Sequence, residues 1–281
     1  LPRADGGRYI WRMTQNLFGA LLKHWRRRRG WSQLDLALGA DVSARHVSFL
    51  ESGRARPSEE MVLRLLSALE VPLRDQNGIL LAASFPARFA EPGLDAIHPS
   101  IDLAIARMAR QQEPFPLAVM TAGYDIIRAN EAAATIFSRF TAEPDRLRGP
   151  PNLFDQVFDP RRARPFIRNW AQLGRHMIAR LHREALHREG DARLRALLDR
   201  VLAYPDVPRD WRQPDFSRLD EPTFSLVLER GPLTLRFFTT ATAFSAPQQV
   251  TLEELLIESY FPLDEETELA CEKLRAASPP K

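Results

Sequence analysis

The sequence predicts two domains: an all-α domain of five short helices, then an α+β domain with an antiparallel sheet. Three observations carry this. Apolar residues recur at spacings of three and four from Leu17 to Leu81, interrupted by Gly and Pro. Pro86, Pro92, Gly93 and Pro99 then break any long element. Beyond them, apolar residues alternate with polar ones around 223–238, as in a strand with one face in a core. The expected boundaries are 14–85 for the helical domain, 86–99 for a junction, 100–262 for the second domain and 263–281 for a C-terminal tail. A chain of 281 residues with 44% apolar content suits two modest domains.

The helical domain is organised around residues 32–57. Ser32 is placed to cap a short helix carrying Leu34, Ala37 and Leu38 on one face. Gly39 and Asp41 interrupt it after about two turns. Ser43 is a second cap, Val47 and Leu50 resume the apolar pattern, and Gly53 ends it. Two short helices joined by a tight turn form the unit that seats its second helix in a DNA major groove. In that placement Arg45 can grip guanine O6 and N7, Ser48 can bond either base class, and Ala44 or Phe49 can touch a thymine methyl. Gln33, Ser43, Arg54 and Arg56 are candidates for holding phosphates, with His46 beside them. Glu51 reads as a structural partner for a basic or polar group of the same domain. Charge agrees. The net charge is only +3, but ten basic residues and three acidic ones lie between Arg8 and Arg56. Such a local positive field attracts a polyanion.

Gln33, Leu36–Ala37, Val42–Ser43, Val47, Leu50–Glu51 and Gly53 resemble the helix-turn-helix of the phage-repressor and Cro-like (XRE-type) regulators, over residues 15–83. The resemblance implies a phosphate contact for Gln33, base-edge contacts for Ala44, Arg45, Ser48 and Phe49, and double-stranded DNA as partner. One position departs: Ala40 stands where the family often has glycine, with Gly39 one place earlier.

The remaining helices follow in order. Asn16 is the expected cap of a first helix over 17–29, with Leu17, Leu21, Leu22 and Trp25 inward and Arg26–Arg29 at its C-terminal end. Ser58 caps a helix over 59–69, and Pro72 precedes one over 74–83 with Leu80 and Leu81 in the core.

The second domain opens with a helix over 100–111. Two strands flank the turn at Ala122–Gly123, and Asn130 caps a helix from Glu131. An Arg-rich helix is expected over 162–189, interrupted near Gly174. Asp191 then caps another. A hairpin turns at Gly231–Pro232, a final helix runs over 252–260, and 276–281 is expected to be loose.

Strand, turn, strand and Asn-capped helix is similar to the opening of a PAS-like sensor fold. Pro151–Asn152–Leu153–Phe154, Val157–Phe158–Asp159–Pro160, Asn169–Trp170, Leu181, Arg183 and Gly190–Asp191 follow in that order. Carried behind the helix-turn-helix, this series resembles the MmyB-like transcription regulators over residues 17–240. Glu221–Pro222 stands where that family often shows His-Pro. The resemblance implies a PAS-like ligand-binding domain for a small hydrophobic molecule, with a fatty acid as candidate and no required cofactor. Candidate lining residues are Phe154, Phe158, Trp170, Met177, Leu226, Leu235 and Phe237. Arg180, Arg183, Arg236 or His176 would meet a polar head.

No enzyme signature is expected. The six histidines lack ligand spacing and the single cysteine, Cys271, has no partner for a disulfide or thiolate metal site. No stretch reaches the roughly 18 apolar residues of a spanning helix, and the N-terminus does not read as a signal peptide. The expectation is a cytoplasmic homodimer that reads DNA and senses a ligand, with no membrane partner. The alternative is a DNA-binding protein whose second domain only dimerises and binds no ligand.

Overall fold

The computed structural model describes residues 5–93, 98–188, 191–213, 225–245 and 247–277, with side chains from Leu17 onward, His187 excepted. The chain forms two compact units, Leu1–Asp95 with Ala246–Glu253, and Ala96–Ser245 with Glu254–Lys281.

The N-terminal stretch of the first unit forms α1 (Asp5–Arg28), α2 (Gln33–Gly39), α3 (Ala44–Glu51), α4 (Glu59–Ala68) and α5 (Leu73–Ala82). Their starts follow the polar residues that precede them. Ser32 Oγ accepts from Asp35 N at 3.1 Å while Asp35 Oδ2 accepts from Ser32 N at 2.7 Å, a reciprocal cap. Ser43 caps α3 through His46 N and Ser58 caps α4 through Met61 N, both at 3.2 Å. Each such cap is worth about 1 kcal/mol. In the turn between α2 and α3, the left-handed residue is Asp41, with φ 51°, while Ala40 stays at φ −102°. Asp tolerates that conformation better than most side chains, so the turn closes without glycine there.

Several expected positions move. The first helix begins at Asp5, so Asn16 lies inside it rather than capping it. Phe18 and Leu22 are buried while Leu17 is 52% exposed. Two apolar registers one residue apart run along α1, and spacing alone does not choose between them. In α2 the inward residues are Leu36 and Ala37, joined by Ala40 just after it, with Leu34 and Leu38 exposed. In α5 Leu80 is buried and Leu81 is exposed. The α1–α3 crossing depends on Gly19. A Cβ there would sit 2.6 Å from Glu51 O and 2.8 Å from Leu50 O, both backbone atoms that cannot swing away. Gly19→Ala is therefore expected to destabilise this unit by about 1–3 kcal/mol, read as a lower urea midpoint.

In the second unit α6 (Pro99–Gln112) leads into β1 (Leu117–Met120), β2 (Ile126–Ala129) and α7 (Glu131–Arg139). Asn130 ties this corner together. Its Oδ1 accepts from Ala133 N at 2.9 Å as the cap of α7 and from Leu117 N at 2.9 Å, while its Nδ2 donates to Phe115 O at 2.8 Å. α8 (Leu153–Phe158), α9 (Trp170–His187) and α10 (Ala192–Leu202) follow, then the hairpin of β3 (Ser225–Arg230) and β4 (Leu233–Thr242), turning at Gly231 with φ 59°. Phe224 and Glu221–Pro222 lie outside the described residues. α9 starts at Trp170, not near 162, because Arg164–Phe166 forms a 3-10 turn containing Pro165. It runs unbroken through Gly174, where a Cβ would lie 2.9 Å from the Trp211 ring. That glycine serves close packing. Leu186, near the C-terminal end of α9, is 53% exposed.

After β4 the chain forms α11 (Val250–Glu253), which belongs to the first unit, and re-enters the second as β5 (Leu256–Pro262). The expected final helix over 252–260 is thus mostly a strand. β5 occupies the middle of a five-stranded antiparallel sheet of order β2-β1-β5-β4-β3. It pairs with β1 at Ala118↔Glu258 and with β4 at Thr239↔Tyr260. Partners on both edges outweigh the local pattern, as strand preference is mostly a matter of neighbours. The expected tail is α12 (Glu265–Ala276), capped by Asp264, with acids in its first turn and Lys273 and Arg275 in its last. Cys271 is buried on it, and burial pushes its thiol up to about 12.

Candidate functional site

Two places carry candidate function, one in each unit. In the first, α3 presents its outer face on a rigid base. Val47 and Leu50 are buried beneath it. Glu51 at its end forms a forked pair with Arg26, Nε to Oε1 at 2.6 Å and Nη2 to Oε2 at 2.9 Å. Arg26 Nη1 also donates to Trp31 O at 2.7 Å, and Gln33 Nε2 donates to Glu51 Oε2 at 2.8 Å. The expected partner of Glu51 is thereby found. Burial pushes the Glu51 carboxyl up, but the bonds from Arg26 and Gln33 outweigh it and hold the group below the usual carboxylate range. This network ties α1, α2 and α3 together at the start of α2 and the end of α3.

On the outer face Arg45 is exposed, and Ser48 and Phe49 are half-buried. Arg45 and Arg54 both lie over the Phe49 ring, with guanidinium carbons 5.2 and 5.5 Å from its centre. Phe49 thus positions two cations. Arg54 and Arg56 are exposed just beyond α3. His46 is half-buried, and Ala44 is half-buried against the core, which limits its methyl as a base contact. Ser43 spends its hydroxyl oxygen on the helix cap. Gln33 spends one amide proton on Glu51, leaving the second for a phosphate.

In the second unit a cavity of about 60 Å³ opens against the sheet. Its apolar wall is Leu153, Phe154, Val157, Leu173, Met177 and Leu226. Its polar side is Tyr124, Arg180, Thr239, Glu258 and Tyr260. Four candidates, Phe154, Met177, Arg180 and Leu226, meet there. Phe158, Trp170, Leu235 and Phe237 do not line it; they fill the closed core at 0 to 7% exposure. Trp170 is fixed by its Nε1, which donates to Val157 O at 2.9 Å, and by the Arg164 guanidinium over its ring. Of the four head-group candidates only Arg180 lines the cavity, and Arg236 instead donates to Asp264 Oδ2 at 3.0 Å.

Glu258 and Tyr260 were invisible while β5 read as a helix, because their side chains meet the cavity only through strand alternation. Thr239 and Tyr124 carried no local signal either. The polar side is tightly coupled. Tyr124 Oη donates to Glu184 Oε1 at 2.6 Å and Arg180 Nε donates to the same oxygen at 3.0 Å. Arg180 lies 5.3 Å from the centre of the Tyr124 ring. Burial pushes the Glu258 carboxyl up, against the Tyr260 hydroxyl bond and the Arg180 charge. Burial and the neighbouring Glu258 also push the Tyr260 phenol up.

Among the described residues no group of three or more His, Cys, Asp or Glu is placed to hold a metal ion. Among them, too, no helix is long and apolar enough to cross a membrane.

Residues 101–274 match the family described as the MmyB-like transcription regulator ligand binding domain, and residues 22–76 match a helix-turn-helix family. Curated relatives include uncharacterised HTH-type transcriptional regulators of Mycobacterium tuberculosis and Mycobacterium bovis, each 33% identical over 95 residues. Those matches span 34% of this chain and 36% of the relatives' length. A solved structure of an RNA-binding light-oxygen-voltage receptor aligns over 92% of this chain and 65% of its own at 12% identity. Its TM-score of 0.26 carries no argument about fold.

Proposed function

Because this chain belongs to the MmyB-like transcription regulators, we propose a repressor-like DNA reader whose second unit senses a small hydrophobic molecule with one polar group. The observation that carries the DNA half is an exposed Arg45 on a helix capped and anchored at both ends. Arg45 and Ser48 read base edges, while Gln33, Arg54 and Arg56 hold phosphates. One such helix covers only a few base pairs. A homodimer on a two-fold site, with half-sites about 34–36 Å apart, extends the reading.

The ligand half rests on the cavity with its apolar wall and the Arg180 cation in its lining. A fatty acid places its chain along Phe154, Met177 and Leu226, gaining about 0.8 kcal/mol per buried CH₂, and its carboxylate at Arg180. The cavity volume of about 60 Å³ is that of a few waters. A long chain therefore enters only as side chains move aside, and Met177, unbranched and flexible, is suited to that. The buried Glu258 sets a pH dependence. As it loses its proton it repels an anionic head.

Calorimetric titration with dodecanoic acid and with dodecanol tests this reading. Dodecanoate should bind more weakly as pH rises through the raised Glu258 titration, and dodecanol should change less. Glu258→Gln should flatten the dodecanoate profile. Failure of both probes to bind would remove the ligand half and leave a second unit that only dimerises.

A further inference from the structure

The connection between β4 and β5 does not stay with its own sheet. Val250 is fully buried in the first unit, and its N donates to Ala90 O at 3.0 Å. Gln249 and Ala90 form a parallel bridge, and Thr251 Oγ1 donates to Pro92 O at 2.7 Å. Most informative is Glu253. Helix α5 follows Pro72, which supplies no side-chain cap. Its first amide, Leu73 N, instead donates to Glu253 Oε2 at 2.9 Å, a carboxylate 180 residues away in sequence. An acid at a helix N-terminus satisfies an orphan N–H and suits the helix dipole. Glu253 thus supplies the cap that α5 lacks.

The other end of this strap is short. Three residues after Glu253 the chain is β5, and five residues after it Glu258 lines the cavity. On the opposite side, β4 contributes Thr239, paired with Tyr260 of β5. A change in how β5 sits beside an occupant of the cavity must pass along five covalent residues to the carboxylate that starts α5. Helix α5 packs on α1, and α1 on α3.

We propose that the β4–β5 connection is a regulatory strap, in which the Glu253 cap on α5 makes the state of the cavity strand felt in the DNA-reading unit. Its use by a ligand rests on the cavity reading above, but the coupling itself does not require one. Such coupling is reciprocal: whatever β5 does to α5, α5 does to β5 by the same factor.

Hydrogen exchange on the full chain tests this without a ligand. Glu253→Ala should speed exchange of Leu73 N, and also of Tyr260 N, which donates to Pro116 O in the middle of the sheet. Glu258→Gln should in turn shift Leu73 N. Effects of roughly fivefold or more are expected for a real coupling, and Glu253→Gln, which keeps an acceptor, should restore most of the difference. If Glu253→Ala moves Leu73 N while Tyr260 N stays at its original rate, the cap is only local and the strap proposal falls. Added dodecanoate is the separate arm. Protection confined to Tyr260 and its neighbours, with Leu73 and Val250 unchanged, would also overturn the strap, while leaving the cavity reading intact. Absence of any protection by dodecanoate, with the two mutational effects present, would keep the strap and reject that class of occupant.

Discussion

Replacing Glu51 with Ala is expected to cost the DNA-binding unit about 3–5 kcal/mol, the penalty for stranding one member of a buried ion pair. The pair's side chains are only 9% and 4% exposed. Without the carboxylate, Arg26 keeps its bond to Trp31 O while its charge stays out of water, and Gln33 also loses that partner. With domain stabilities commonly about 5–15 kcal/mol, that loss approaches the whole. Urea unfolding followed by tryptophan fluorescence, where Trp25 and Trp31 report, should show the early transition. The control is Arg26→Met with Glu51→Leu, which removes both charges and should recover much of the loss. If the double variant is as unstable as Glu51→Ala, the single-charge penalty is not the cause. The pH dependence has a definite sign. A carboxyl held below its ordinary value of 4.5 in the fold adds stability above that value. The contribution disappears as pH falls through the folded-state value. Acid should therefore unfold the wild type of this unit while affecting the Arg26→Met, Glu51→Leu form less.

Arg45→Ala should leave the fold intact and remove base discrimination worth about 1–3 kcal/mol, roughly tenfold to a hundredfold at one position of the site. The side chain is exposed, with its guanidinium over the Phe49 ring of its own helix. Selection of binding sites from random duplexes, then fluorescence anisotropy on the winner and on single-base variants, gives the readout. Loss of preference at one base pair, with affinity for random duplex retained, is the expected pattern. An unchanged preference would mean that α3 is not the reading helix in the orientation assigned. Arg54→Ala makes the contrast, since a phosphate contact should weaken all sequences alike and lower the salt slope by about one. Gln33→Ala should do both kinds of harm, because its amide also braces Glu51.

The helix-turn-helix was legible because its signals are local. Ser32, Ser43 and Ser58 each sit three residues before the amide they cap, and Gly53 adopts φ 70° at the end of α3. Which of two adjacent apolar registers faced inward was not legible. Leu17 and Phe18 are both apolar, and the packing of α1 against α3 and α5 places Phe18 inward. The candidate cavity was half legible. Phe154, Met177, Arg180 and Leu226 were found as apolar or cationic residues of the right elements, whereas Glu258 and Tyr260 depended on a strand that reads as helix until β1 and β4 flank it.

Taken alone, the sequence determined the two-domain division, the capped helix α3 with Arg45 outward, the hairpin and the family, because each is written in neighbouring residues or in motif order. Tertiary structure decided the central strand β5, the polar side of the cavity, the Arg26–Glu51–Gln33 network and the Glu253 cap on α5. The Gln33–Glu51 and Leu73–Glu253 contacts join partners 18 and 180 residues apart, and such contacts gain their energy only once the chain has closed the intervening loop.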